Sequence, residues 1–544
     1  MLRLTELRLP LGHAPEALRD AVLERLEVQD PDLIEMQVVR RAHDARKTSR
    51  IQMVYSVDAV IQGEAEVLAR LDGRRGVGPA PDTGYRFVGR APEGLAERPV
   101  VVGAGPCGLF ATLILAQMGF RPILIERGKV VRERTKDTWG LWRRGVLDPE
   151  SNVQFGEGGA GTFSDGKLYS QIKDPRHLGR KVLTEFVEAG APDEILSEAH
   201  PHIGTFRLVT VVESLRRQIE ALGGEYRFGR RVTDVEIEAD AAGARRVAAL
   251  HLHTGERIPA RHVVLALGHS ARDTFQTLHD RGVFIEAKPF SIGVRIEHPQ
   301  SLIDRARFGA CAGHRDLGAA DYAISHPCAN GRTVYSFCMC PGGTVVAATS
   351  EAGQVVTNGM SQYSRNERNA NSGLVVGISP ADYPDHPLAG IDFQRHWERA
   401  AFTAGGGGYL APAQRLADLV AGRPSTALGE IVPSYRPGVT PGDLSLCLPD
   451  FAVQALREAL PAFGRKIKGY DHPDAVLTGV ETRTSSPIRI RRGDDHQSVN
   501  TQGLYPAGEG AGYAGGILSA AIDGIKTAEA VAMHMLTQER VSGG

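Results

Sequence analysis

Apolar and polar residues alternate along the first ~70 positions in two different periods. Residues 2–9 read as a strand, and Leu18, Val22 and Leu26 fall on one face of a helix over residues 16–26. A second strand is predicted at 33–40. Ile51, Met53, Tyr55, Val57, Ala59 and Ile61 then alternate with mostly polar neighbours, the pattern of a half-buried strand, and 63–71 closes as a short helix. Residues 72–99 hold six glycines and four prolines with no period, and are expected to form a linker after a small α+β domain at 1–71.

The pattern then changes. Residues 99–102 are a short β-branched run, 109–118 an apolar helix, and 122–125 a second strand ending at Glu126. That is a βαβ unit. Strands are also predicted at 226–238, 246–253 and 262–267, with Thr254-Gly255 as a turn. Residues 288–478 are mixed and rich in Gly, Asn and Pro. Near the end come a strand at 504–507, a glycine-rich turn and a helix at 517–536. The fold class expected is α/β. A discontinuous Rossmann-like domain (100–287 and 479–544) would carry an inserted mixed α+β substrate domain (288–478) behind the small N-terminal domain.

Residues 103–108, Gly-Ala-Gly-Pro-Cys-Gly, sit between the first strand and the helix of that unit. G-x-G-x-x-G also occurs at 156–161 and 510–515, so the pattern alone decides little. Only the first copy follows a buried strand, opens a helix and has an acid at the end of the next strand. Gly103 suits the tight turn, Gly105 the approach of a pyrophosphate and Gly108 close helix–strand packing, with Ala104 and Pro106 completing the turn. The free N–H groups and the helix dipole would hold phosphates. Glu126, 23 residues after Gly103, would accept from a ribose diol.

Residues 503–510 and 515–517 with the Ala-rich helix behind them resemble the second FAD motif of the glutathione-reductase and hydroxybenzoate-hydroxylase superfamily. So do the Glu126-Arg127-Gly128 ending and the short strand closing at Gly268. The resemblance implies noncovalent FAD held by Gly508, Glu509, Gly515, Gly516 and Ile517 as well as the first turn, with Arg127, Val232 and Gly268 as further contacts. Glu509 stands where Asp is commoner. Residues 152–168, 336–343, 357–361 and 481–487, together with Asp44-Ala45-Arg46-Lys47, are similar to the uncharacterised FAD-dependent dehydrogenases or oxidoreductases of bacteria and plastids. That likeness places Gly161, Thr162 and Ser164 along the flavin and names no substrate.

Composition narrows the partners. Lys+Arg is 63 and Asp+Glu 64, a net charge of −1, which argues against bulk-charge binding to nucleic acid or anionic lipid. With 42% hydrophobic and 23% charged residues, large-scale disorder is not expected. No run of 18 apolar residues and no signal-peptide core occur, and six cysteines in so long a chain do not make a disulfide scaffold, so a cytoplasmic enzyme is expected. No CxxC or HExxH spacing marks a metal site, and His326 and His298 read as satisfied polar residues.

Candidate chemistry lies in three places. Cys338 and Cys340 would share one face of a strand, as a redox pair, a thiolate nucleophile, or two small core residues. Glu481, Arg483, Thr484, Ser485 and Ser486 are costly to bury unless paired or facing a ligand. Arg483 would bind a substrate oxygen pair and Glu481 would orient it or move a proton; a structural Arg–Glu pair joining two domains is the ordinary alternative. Arg365, Asn366, Arg368, Asn369 and Asn371 suit an anionic substrate or a solvated loop. Arg40, Arg41, Arg46, Lys47 and Arg50 suit an RNA or anionic partner or a solvated strand edge. The leading function is an FAD-dependent oxidoreductase acting on a small organic substrate, an anionic one among the candidates, with NAD(P)H as a transient donor and no dedicated nicotinamide domain. Flavin-dependent RNA modification and a non-catalytic flavoprotein sensor or assembly factor are the alternatives.

Overall fold

The computed structural model describes residues 1–542. Four antiparallel strands form the N-terminal sheet, in the order Leu33–Asp44, Gln52–Ile61, Leu2–Pro10, Val77–Pro79. Leu2, Leu4, Leu7 and Leu9 all face its core although the alternation slips between 4 and 7. A register shift there, with Glu6 at φ 57°, resets the phase. Helix Ala17–Leu26 covers this face with Leu18, Val22 and Leu26.

The segment expected as a linker is tied down at both ends. Val77–Pro79 is the fourth strand of that sheet, and Leu95, Tyr85 and Ala91 pack against the helices of the next domain. The Tyr85 hydroxyl donates to Glu529 at 3.0 Å.

A five-stranded parallel sheet follows, ordered Leu504–Pro506, Val263–Leu265, Val100–Val102, Ile123–Ile125, Glu225–Arg227. Four of these strands are buried throughout, as β-branched runs in a parallel sheet must be. On one face helix Pro106–Gln117 packs against the C-terminal helix Ile517–Ser542. On the other lies an antiparallel layer of Val232–Ala239, Arg245–Leu252 and Arg257–Pro259. The single strand expected over 226–238 is therefore two strands in different layers, broken at Gly229. Helices Val131–Arg144, Leu178–Glu188 and Thr205–Ala221 fill the crossover before the fifth strand.

The inserted region is built on an eight-stranded mixed sheet, with Thr333–Ala347, Asn369–Ile378, Phe290–Pro299 and Val476–Glu481 at its centre. Helices Ala389–Ala404 and Asp450–Lys466 bury its core. Strand Val476–Glu481 runs across position 478, where the return to the dinucleotide domain was expected, and delivers residues 481–484 to the junction of the two large sheets. Among the described residues no helix is long and apolar enough to cross a membrane.

Candidate functional site: a cleft between the two large sheets

Strand Val100–Val102 ends at Gly103, whose φ of 104° only glycine adopts without strain, and a Cβ there would lie 2.3 Å from the Ala266 carbonyl. At Gly108 a Cβ would sit 1.8 Å from the Gly103 carbonyl, so helix and strand touch only because that atom is missing. Gly105 is the N-cap of helix Pro106–Gln117 and offers no side-chain cap, so the first N–H groups of the helix are left for a ligand. Glu126 accepts from the N–H groups of Ala104 at 2.8 Å, Gly128 at 2.8 Å and Gly156 at 2.9 Å. That fixes the carboxylate while leaving lone-pair capacity toward the cleft it lines. Arg127 stacks on Phe155, 4.1 Å from its ring centre, and pairs with Glu150 and Asp273.

The cleft encloses about 1680 Å³, counting its open mouth. Its outer end is walled by Gly103, Ala104, Gly105, Pro106, Glu126, Arg127 and Val232. The cleft is also lined by Gly268, Gly161, Ser164, Gly508, Glu509, Gly515, Gly516 and Ile517, with Gly161 directly against the Ile517 side chain. The inner end reaches Phe337, Cys338, Cys340, Asn358, Glu481 and Arg483. Two expected contacts do not face it. Gly108 is buried packing, and Thr162 turns its hydroxyl toward Arg134 at 3.4 Å, beside a small apolar void under the helix.

The inner wall is a set of closed charge pairs. Arg295 is fully buried and forks onto both oxygens of Glu481, while giving its other protons to the Cys338 carbonyl at 2.9 Å and Asn358 at 2.9 Å. Glu481 therefore does not orient Arg483, as the sequence suggested. Arg483 instead bonds both oxygens of the buried Glu398, at 3.1 and 3.0 Å, and donates to Ser270 and Ser350 at 3.1 and 2.6 Å. Arg272 holds the same carboxylate from the other side at 2.7 and 2.9 Å. Burial alone would raise the Glu398 pKa; the two guanidiniums overcome it and hold it well below the usual carboxylate range.

Cys338 has a left-handed backbone, φ 42°, in a stretch of strand where pairing slips register. Its side chain is deep in the molecule yet open to the cleft, and burial pushes its thiol up to about 12, so it stays protonated. Cys340 is buried, its thiol 3.3 Å from the Cys338 carbonyl and also raised by burial. Lys167, in the loop after Ser164, lines the cleft and gives one proton to the Met339 carbonyl. Burial opposes its charge, but Asp165 together with Tyr169, Cys340 and Cys338 more than offsets this. His269 follows Gly268, faces the cleft, and is pushed down to about 3 by burial and then by Arg483 and Arg272, so its ring is neutral. Burial pushes Glu509 up to about 7 against a weaker opposing pull from Lys288.

Several members of the other candidate clusters have partners within the protein. Arg365 is paired with Asp165, Arg368 donates to Val432, and Asn369 and Asn371 bond Glu297 and Arg295. Of the basic patch, Arg41 is taken by Glu198 and Asp316 and Arg46 by Asp44.

The profile of a family described as FAD-dependent protein, C-terminal domain-like matches residues 289–484, and a domain of unknown function matches residues 1–60. A protein of Clostridium beijerinckii, itself described as uncharacterized, is 45% identical over 530 residues, spanning 97% of this chain and 98% of its own. The chain belongs to this family of FAD-dependent proteins. Solved flavoproteins align far more distantly. A flavoprotein/dehydrogenase from Cytophaga hutchinsonii shares 11% identity at a TM-score of 0.35, covering 81% of this chain and 79% of its own. The glycerol-3-phosphate dehydrogenase of Bacillus halodurans, complexed with FAD, shares 12% at 0.34, covering 81% and 66%. The family assignment does not draw on them.

FAD is the cofactor, and the cleft of this FAD-dependent protein fits it. The uncapped helix end would take the pyrophosphate, Glu126 the ribose, and Glu509, which lines the cleft, the middle of the cofactor. Lys167 and His269 had no role in the sequence reading. Each directly follows or sits inside a recognised motif, which was the only signal available for them.

Proposed function

We propose that this is an oxidoreductase that exchanges hydride between its FAD and a small organic substrate held at the inner end of the cleft. The observation that carries this reading is the cleft's extent. It continues past the FAD-binding glycines to a wall supplied by a second sheet, where Lys167, Cys338 and Asn358 face the space. When bound, the flavin supplies a two-electron centre. Lys167 would bind an anionic or carbonyl oxygen, the task first expected of Arg483, since Arg483 already bonds Glu398, Ser270 and Ser350. Cys338, held as a neutral thiol, would contact the substrate rather than attack it. Arg483 and Glu481 act as positioning residues that lock residues 481–484 in place. NAD(P)H remains the proposed donor, approaching transiently over the ring.

Anaerobic mixing of the purified yellow protein with NADH, NADPH and a metabolite panel tests the proposal. At least one compound should bleach the flavin band and a second should restore it. If dithionite alone bleaches it, the protein is a non-catalytic flavoprotein. Lys167→Met should retain full flavin content and raise KM for the substrate about tenfold or more; an unchanged KM places substrate elsewhere.

A further inference from the structure

Outside the cleft, one group of metal-ligating side chains among the described residues converges: His326, Cys328 and Glu458, whose ligand atoms all lie within 4.8 Å of one another. His326 and Cys328 are two apart, on strand Ser325–Pro327 and the turn that follows, so both point toward helix Asp450–Lys466. The turn is closed by Cys328 N–H to the Arg332 carbonyl at 2.7 Å and Gly331 N–H to the Cys328 carbonyl at 3.0 Å. Glu458 reaches across from the helix and is held there by the Ala329 N–H, 3.1 Å from each of its oxygens. Its Oε1 lies 3.6 Å from His326 Nε2.

The thiol is poorly used as it stands. Cys328 is buried; its thiol has two long acceptors, the Ala455 carbonyl at 3.5 Å and the His326 carbonyl at 3.8 Å, and the Val334 backbone N–H meets its sulfur. Nearby cations are committed elsewhere: Arg332 to Asp382, and Lys466 to the Ser325 carbonyl. A tetrahedral ion at ~2.0–2.3 Å from each ligand needs ligand atoms roughly 3.3–3.8 Å apart. The His–Glu pair already has that spacing, and the two distances to the Cys328 sulfur, each within 4.8 Å, would have to close by no more than about 1 to 1.5 Å.

We propose that His326, Cys328 and Glu458 form a three-ligand site for a zinc-type divalent ion, with water in the fourth position. The mixed N, S and O donor set excludes calcium and magnesium, which take oxygen ligands. The proton displaced from Cys328 leaves to solvent past the exposed Glu458. Bound metal would clip the hairpin to the helix. The strand that leaves this hairpin is Thr333–Ala347, which carries Cys338 and Cys340 into the cleft, so occupancy would brace the inner wall from outside. The role is structural and does not depend on the proposed reaction.

Chelator-treated holoprotein is titrated with Co2+ and, separately, dialysed against Zn2+. One equivalent should bind. Co2+ should give the visible bands of a thiolate-bound ion, read to the red of oxidised flavin absorption. Cys328→Ser should lose those bands and weaken Zn2+ binding by about tenfold or more with FAD content unchanged. Glu458→Gln, at an exposed position, should weaken binding without touching the fold, and serves if Cys328→Ser does not fold. Binding equal in wild type and Glu458→Gln, or Co2+ bound without thiolate bands, overturns the proposal.

Discussion

Glu398 is fully buried between two guanidiniums, and one partner's loss should be felt throughout the site. Arg483→Lys keeps the charge but not the fork that spans both Glu398 oxygens and two serines. It should cost about 3 kcal/mol, lowering melting temperature and flavin content together, with turnover per bound flavin unchanged. Loss of turnover at full flavin occupancy would return Arg483 to a direct role. Glu509 makes the opposite case. Its folded pKa of about 7 lies above its ordinary 4.5 because burial disfavours the charge. The raised value means stability is fully present below about 4.5 and is lost as pH rises through about 7. Apo-protein carrying Glu509→Gln should therefore match wild type near pH 4.5 and melt higher at pH 8. The difference is bounded by about 3 kcal/mol and reduced by water in the cleft. Equal melting curves at both pH values would show that the carboxyl is better solvated than its surroundings suggest.

Elements differ in how much of themselves they reveal. The dinucleotide turn was legible because its chemistry is local: strand, three glycines, helix and acid lie within 27 residues. Gly108→Ala should accordingly yield flavin-free or insoluble protein, since the added methyl meets the Gly103 carbonyl at 1.8 Å; a yellow, soluble variant would mean the helix can shift. The N-terminal strands were legible because one face is wet. The large inserted sheet was not. Phe290–Pro299 and Asn369–Ile378 are buried on both faces, so their polar residues mark internal partners rather than a solvent side. Arg295 and Glu481 are 186 positions apart, and Arg483 and Glu398 are 85 apart. No local pattern encodes such pairs, which is why the charges at 481 and 483 were recognised while their partners Arg295 and Glu398 were not.

At the scale of the molecule, the N-terminal sheet is docked rather than tethered. Leu11, Ala45 and Ile51 pack against the core of the inserted region, and Arg41 N–H donates to the Ser197 carbonyl at 2.6 Å. None of its residues lines the cleft. Removing residues 1–80 should thus leave one FAD per chain but lower solubility and melting temperature, as newly exposed apolar surface would dictate. Flavin-free truncated protein would make the sheet part of the cofactor fold.

The parallel sheet has a further consequence for synthesis. Its edge strand, Leu504–Pro506, and the helix that shields its first crossover, Ile517–Ser542, are made long after the other strands of the sheet. Until the ribosome releases them, Val263–Leu265 has one unpaired side and the apolar helix Pro106–Gln117 lies uncovered. The nascent chain must carry a half-built nucleotide domain through several hundred residues of translation, with exposed strand edges that invite association. Chaperone occupancy on translating ribosomes should persist until this strand and helix have emerged rather than fall once the first βαβ unit has done so.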